Sequence, residues 1–175
     1  MSKVLILVLL FLPSIAFATL EVSAVQKQQD KDYTITFCNL FKIENIALQK
    51  NSFGSFLIMP REVGGYRNLA LTSKELDLKI KNILEDKAQT DTKTICKTPS
   101  LKMVWARRLK DSSAVICQIS FEDSLDIIAF ASKYKKGGKD IYKVSYPQDF
   151  KFLDTDYKAK VRAFILENTK ELLTD

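Results

Sequence analysis

Eight basic side chains could carry binding chemistry: Arg61, Arg67, Arg107, Arg108, Lys133, Lys135, Lys136 and Lys139. A guanidinium offers a planar fork of donors and an ammonium a compact charge, and both suit phosphate or carboxylate oxygens. The whole chain carries a net charge of +6 over 175 residues. That surplus fits a polyanionic partner (nucleic acid, anionic lipid or an acidic wall polymer), and it fits a Lys-rich solvated surface equally well. The stretch Lys135 to Lys139, with Gly137-Gly138 inside it, has two readings: a phosphate-binding loop or a solvated hairpin tip. Trp105, the sole tryptophan, alternates with Val104 and Ala106. Core packing or a contact between parts of the fold is expected of it, and base stacking is the other use of an indole beside basic residues.

Catalytic chemistry is poorly provided for. The chain has no histidine. Ser-His-Asp and Cys-His nucleophiles, His-ligated zinc and the usual proton shuttle near neutral pH are therefore excluded. Paired carboxylates or a Ser-Lys dyad stay open, but no motif points to either. No cofactor and no metal site are expected, and the chain is read as a non-enzyme. The cysteines are Cys38, Cys96 and Cys117, an odd count that leaves at least one thiol unpaired within the chain. Cys38 falls in phase with Thr34 and Thr36, and Cys117 with Val115 and Ile119. The two are expected on different faces of their strands, as idle or buried thiols rather than a disulfide staple.

These residues sit behind an N-terminal address. Met1 to Ala18 reads MSKVLILVLLFLPSIAFA: Lys3, an apolar run from Val4 to Leu12, then Pro13 and a small-x-small Ala16-Phe17-Ala18. This is the order of a signal peptide, residues 1–18, and the apolar run is short for a bilayer span. Export to the periplasm, the cell envelope or the medium is expected. Cleavage after Ala18 removes Lys3 and lowers the net charge of +6 by one.

The remainder reads as one pattern written twice. Val22 and Ala24 match Val104 and Ala106, Ile46-Ala47-Leu48 matches Ile128-Ala129-Phe130, and Ile83-Leu84-Glu85 matches Ile165-Leu166-Glu167, all 82 residues apart. Pro60 matches Pro147 with a shifted loop. Each copy predicts about four short antiparallel strands and a closing helix, an α+β unit. The strands are expected at 20–27, around 33–37, 43–48 and 56–59, then at 101–109, around 115–119, 125–132 and 141–146. Period-two alternation of Tyr33, Ile35 and Phe37, and of Val115, Cys117 and Ile119, marks sheets with one buried face. Thr72 with Glu75 forms a capping-box signature for the first helix. Leu76, Ile80, Ile83 and Leu84 make its apolar stripe, and Tyr157, Val161, Phe164 and Ile165 that of the second. Residues 19–86 form the first module, 87–100 a polar linker and 101–175 the second module. Units this small gain stability by pairing, so an intrachain pseudo-dimer is expected.

The first copy resembles the stage V sporulation protein G family, the septation regulators of bacteria. Glu21 to Val25 resembles its opening strand and Ile43 to Leu48 its third. Phe56-Leu57-Ile58-Met59-Pro60 followed by Gly65-Tyr66-Arg67-Asn68-Leu69 resembles its Met-Pro turn and the stretch after it, and Thr72 to Leu84 its closing helix. The second copy keeps Tyr146-Pro147 but lacks the Gly-aromatic-basic stretch. The resemblance implies a small antiparallel sheet with a C-terminal helix, normally dimeric, a role in septation or sporulation, and nucleic-acid binding through a basic surface. It carries over to Arg61 and Arg67, as phosphate contacts or as solvated loop charges. A leader for export departs from a cytoplasmic regulator. The first expectation is therefore an exported, non-catalytic binding protein of this type with a protein or polyanion partner, linked to septation or the envelope. The alternative is a nucleic-acid-binding regulator using the basic surface. N-terminal sequencing of the protein isolated from its cells should begin at Thr19, and an intact Met1 on a cytoplasmic chain would contradict export.

Overall fold

A computed structural model describes residues 20–28, 32–62, 67–85, 96–110 and 112–174. The leader, Asp30, Asp111, Gly65, Tyr66 and most of the linker lie outside the described residues. The fold is α+β, with antiparallel sheets and a helix closing the chain. Five strands and a helix run β1 (Val22–Lys27), β2 (Asp32–Phe37), β3 (Phe41–Asn51), β4 (Gly54–Ile58), β5 (Leu69–Leu71) and α1 (Lys74–Glu85). The same order follows as β6 (Leu101–Arg108), β7 (Ala114–Phe121), β8 (Leu125–Lys136), β9 (Lys139–Ser145), β10 (Phe150–Phe152) and α2 (Thr155–Leu173).

Each half has five strands rather than the expected four. The extra ones, β5 and β10, are three residues long, too short to show a period, and their partners are remote in sequence. β10 pairs with the start of β3, matching Phe150 with Ile43 and Phe152 with Phe41. β5 pairs with the start of β8, matching Leu69 with Ile127 and Leu71 with Leu125. The rest of β3 pairs with β4, and the rest of β8 with β9. Each half therefore completes the other's sheet: the first sheet is β1-β2-β3 with β4 and β10 along one edge, the second β6-β7-β8 with β9 and β5.

The residues flanking the exchanged strands lock them reciprocally. The Thr72 and Ser73 N–H groups donate to Ser124 O at 2.9 and 3.4 Å, and those of Leu153 and Asp154 donate to Leu40 O at 2.8 and 3.1 Å. Leu40 and Ser124 end matching turns, in which Cys38 and Asn39 (φ 50° and 56°) and Glu122 and Asp123 (φ 51° and 46°) are left-handed. Such φ values cost side-chain-bearing residues energy. The turns are held by Cys38 N–H to Glu21 O at 3.0 Å and Glu122 N–H to Ser100 O at 3.2 Å. Cys38 thus lies in a turn, not in the second strand, and like Cys117 it is buried, so the two do not divide between opposite strand faces. Thr34 is buried as well, so the alternation in β2 is imperfect. From β10, Lys151 bonds Glu44, and the Lys151 and Lys42 ammoniums hold the Glu44 carboxyl below the usual range.

The helices begin where side chains cap free N–H groups, but the first cap is Ser73, not Thr72. Ser73 Oγ accepts from Leu76 N at 3.2 Å, while the Thr72 hydroxyl donates to Asp123 O at 3.0 Å. Asp154 Oδ1 caps α2 by accepting from Tyr157 N at 2.6 Å. Leu76, Ile80 and Leu84 are buried along α1, and Tyr157, Val161 and Ile165 along α2. Leu84, not Ile83, therefore stands where Ile165 does. The constant spacing of 82 is not kept. A register irregularity in β2–β3, with Asn45 left-handed at φ 59°, and a longer β8–β9 hairpin shift the match along the chain. α2 lies across β6 to β9, and α1 lies against β4 and β5.

One core runs through both halves. Its centre is Phe41, fully buried, with its ring centroid 5.4 Å from Phe37, 5.0 Å from Phe121, 5.0 Å from Phe150 and 6.3 Å from Tyr157. Phe37 and Phe41 come from the first half and the other three from the second. Phe41→Ala should lower the free energy of unfolding by about 3–5 kcal/mol, through lost burial plus the cavity left between the sheets. Phe53→Ala, at a hairpin tip where the ring is 97% exposed, should change it by less than about 0.5 kcal/mol. Urea titration of both variants checks the pair.

Candidate polyanion interface

The second sheet has one face committed to the core and one that is not. Val115, Cys117, Ile119 and Phe121 of β7, and Leu125, Ile127, Ala129 and Ala131 of β8, are all fully buried beneath α2. Alternation sends their neighbours to the outer face. Registers then define its rows. Arg107, Ile116, Phe130 and Ser145 form one; Trp105, Gln118 and Ile128 the next; Ser120, Asp126 and Ala70 a third. Towards the hairpin tip, Ser132 pairs with Lys143, Tyr134 with Ile141 and Lys136 with Lys139. Phe130 is 38% and Tyr134 46% exposed, and Arg107, Lys136, Lys139 and Lys143 are exposed. The face is thus basic with interleaved aromatic rings. The hairpin turns on Gly137 and Gly138, whose φ values of 60° and 76° suit the right-handed strand twist.

Polar contacts fix the middle of this face. Trp105 Nε1 donates to Gln118 Oε1 at 2.5 Å, and Gln118 Nε2 donates to Asp126 Oδ2 at 2.6 Å. The Arg107 guanidinium stands 5.5 Å from the Trp105 ring centroid, a cation–π distance. Trp105 is half-buried on the outer face, its edge tied by Gln118 and one face covered by Arg107.

The eight basic candidates do not form one patch. Arg107, Lys136 and Lys139 share the outer face. Arg61 and Arg67 come together across a groove of about 360 Å³, lined also by Phe56, Met59, Leu71 and Asp77. Arg67 reaches the outer face too, because a smaller hollow of about 110 Å³ joins it to Gln118, Asp126 and Ile128. Lys133 and Lys135 alternate to the other side, where Lys133 pairs with Asp140 at 3.1 Å. Arg108 donates through Nε to Ser112 O at 3.2 Å at the β6 edge. Sequence reasoning missed Phe130, Tyr134 and Lys143. Their signal was present: Phe130, Tyr134 and Lys136 keep the parity opposite to Ala129 and Ala131, which places them on the outer side of the strand.

Chemically, this face can pair phosphate or carboxylate oxygens with its cations while rings stack on planar or apolar groups. Among the described residues no group of three or more Cys, Asp or Glu is placed to hold a metal ion. No described helix is long and apolar enough to cross a membrane. No protein-family model matches the chain, and no curated protein or solved structure matches it significantly.

Proposed function

We propose that this chain is an exported, non-catalytic binding protein, built from two modules of stage V sporulation protein G type fused as an intrachain pseudo-dimer. It engages an elongated polyanion at the cell envelope, in septation or a related envelope process, across the outer face of the second sheet. The observation that carries this reading is the set Trp105, Arg107, Phe130, Tyr134, Lys136 and Lys139 on the uncommitted side of a sheet. The fused-dimer reading is supported by the reciprocal strands β5 and β10 and by the identical order of elements in the two halves. Export is supported by the three-part leader alone. The module type is supported by the Met-Pro and Arg67-Asn68-Leu69 stretches and by the strand-and-helix order.

A nucleic-acid reading is favoured by one specific observation: the three rings interleave with the cations, the pattern on which unpaired bases stack. An acidic wall polymer needs the cations but not the rings.

Binding to an anionic wall polymer, single-stranded RNA and duplex DNA across a salt series separates the two. Each neutralised charge releases counterions, so the logarithm of affinity should fall linearly with the logarithm of salt. Replacing Arg107, Lys136 and Lys139 together by Ala should flatten that slope by about three at most. Lys79→Ala, on α1 and paired with Glu21, should leave it unchanged. Trp105→Ala should weaken RNA far more than wall polymer if bases stack there. No binding of any of the three at low salt, or a slope indifferent to the triple variant, removes the outer face from the account.

A further inference from the structure

A groove of about 360 Å³ lies between β4 and β5, which belong to different sheets. Its walls are largely apolar: Phe56 is exposed there, and Met59 and Leu71 are only half-buried. Arg61 and Arg67 border it, and both side chains are exposed. The carboxylates beside them are already engaged. Asp77, on the groove wall, pairs with Lys81 at 2.5 Å. Glu62 accepts from Gln148 N at 2.9 Å, and Asp126, which shares the smaller hollow with Arg67, accepts from Gln118 Nε2 at 2.6 Å. Among the described residues no carboxylate pairs with either guanidinium.

In the second half the same place is filled. Pro147 corresponds to Pro60 and β10 to β5, so Tyr146 stands where Met59 does and Phe152 where Leu71 does. The Tyr146 and Phe152 rings meet edge-on at 4.9 Å and pack against the core. The connection from the proline to the short strand is residues 148–149 there, with no cation, against residues 61–68 in the first half, with two arginines. The first half thus carries two slimmer side chains in place of rings, and two cations beside the space they leave.

We propose that this groove is a binding site for a small amphiphilic anion, a carboxylate or phosphate head on a short aliphatic chain. Arg61 and Arg67 take the head through charge-assisted hydrogen bonds, and Phe56, Met59 and Leu71 cover the chain. A concave site of this size, with apolar walls and a few polar groups, is the usual form of a small-molecule site. Burial of the chain adds affinity in proportion to the apolar area removed from water, a gain that a bare anion lacks. An extended polyanion would use the cations and leave the apolar walls uncovered. The site is therefore separate from the outer face of the second sheet and does not rest on it.

The probes are octanoate, octyl phosphate, inorganic phosphate and neutral octyl glucoside, each below its aggregation concentration, added to the purified chain with labelled methionine methyl groups. Calorimetry gives the affinity, and the methyl spectrum gives the place. Octanoate and octyl phosphate should bind saturably and move the Met59 methyl signal, while that of Met103 on β6 stays. The tighter of the two identifies the head as carboxylate or phosphate. Inorganic phosphate and octyl glucoside should bind at least about tenfold more weakly, since each lacks one half of the ligand.

Arg61→Ala should weaken both amphiphiles by about tenfold or more, as loss of a charge-assisted hydrogen bond does. It is the cleaner arginine variant, because Arg67 also borders the outer face. Met59→Tyr with Leu71→Phe, which copies the second half, should abolish binding while the urea midpoint holds. Replacing Arg107, Lys136 and Lys139 together by Ala should leave amphiphile binding unchanged, so failure of the groove and failure of the outer face are read separately. Amphiphile binding indifferent to Arg61→Ala overturns the proposal. So does octyl glucoside binding as tightly as octanoate, inorganic phosphate binding as tightly as octyl phosphate, or a Met59 signal that does not move.

Discussion

The constraint on which the structure depends is the length of its two long central strands. β3 has 11 residues and β8 has 12, yet β4 covers only residues 47–51 of β3 and β9 only 130–136 of β8. In either half alone, the first turn of the long strand would present unpaired N–H and C=O groups beside a buried aromatic cluster. Such an edge invites foreign strands and costs free energy wherever water is excluded. Each half supplies the missing three residues to the other. Because β5 and β10 are followed directly by a helix cap, their position also fixes where α1 and α2 start.

That exchange explains what the sequence could and could not tell. The central strands were read short, as 43–48 and 125–132 against Phe41–Asn51 and Leu125–Lys136, but their places, the Gly137-Gly138 hairpin and the apolar stripes of both helices were legible from local periodicity or turn chemistry. β5 and β10 were not, since Leu69-Ala70-Leu71 and Phe150-Lys151-Phe152 become strands only through remote partners. Cys38 was misplaced because two left-handed residues without glycine, Cys38 and Asn39, end β2 one residue early. The capping residue was missed by one position, since Thr72 and Ser73 are both good caps and only the tertiary bond of Thr72 to Asp123 decides between them.

The basic site was half legible. Charge alone gathered eight residues, and strand parity then divides them: Lys136 and Lys139 face outward with Arg107, while Lys133 and Lys135 face the other way. A one-residue step in a strand reverses a side chain, so composition cannot separate neighbours that register separates. The same parity raises Trp105, Phe130 and Tyr134 into view, which charge counting had passed over. The sheet can afford this open face because α2 and the aromatic cluster stabilise it from the other side.

Amide hydrogen exchange in the intact chain tests the mutual completion of the sheets most directly. The Glu44, Thr72, Ile128 and Leu153 amides donate to Asp149, Ser124, Asn68 and Leu40, each across the two halves. If the halves complete one another, these four amides should open only with the whole molecule, at the same free energy as the buried Ile35 and Ile119. Exchange of the four at a much lower free energy, with Ile35 and Ile119 still protected, would show two independently stable halves in loose contact and contradict the account.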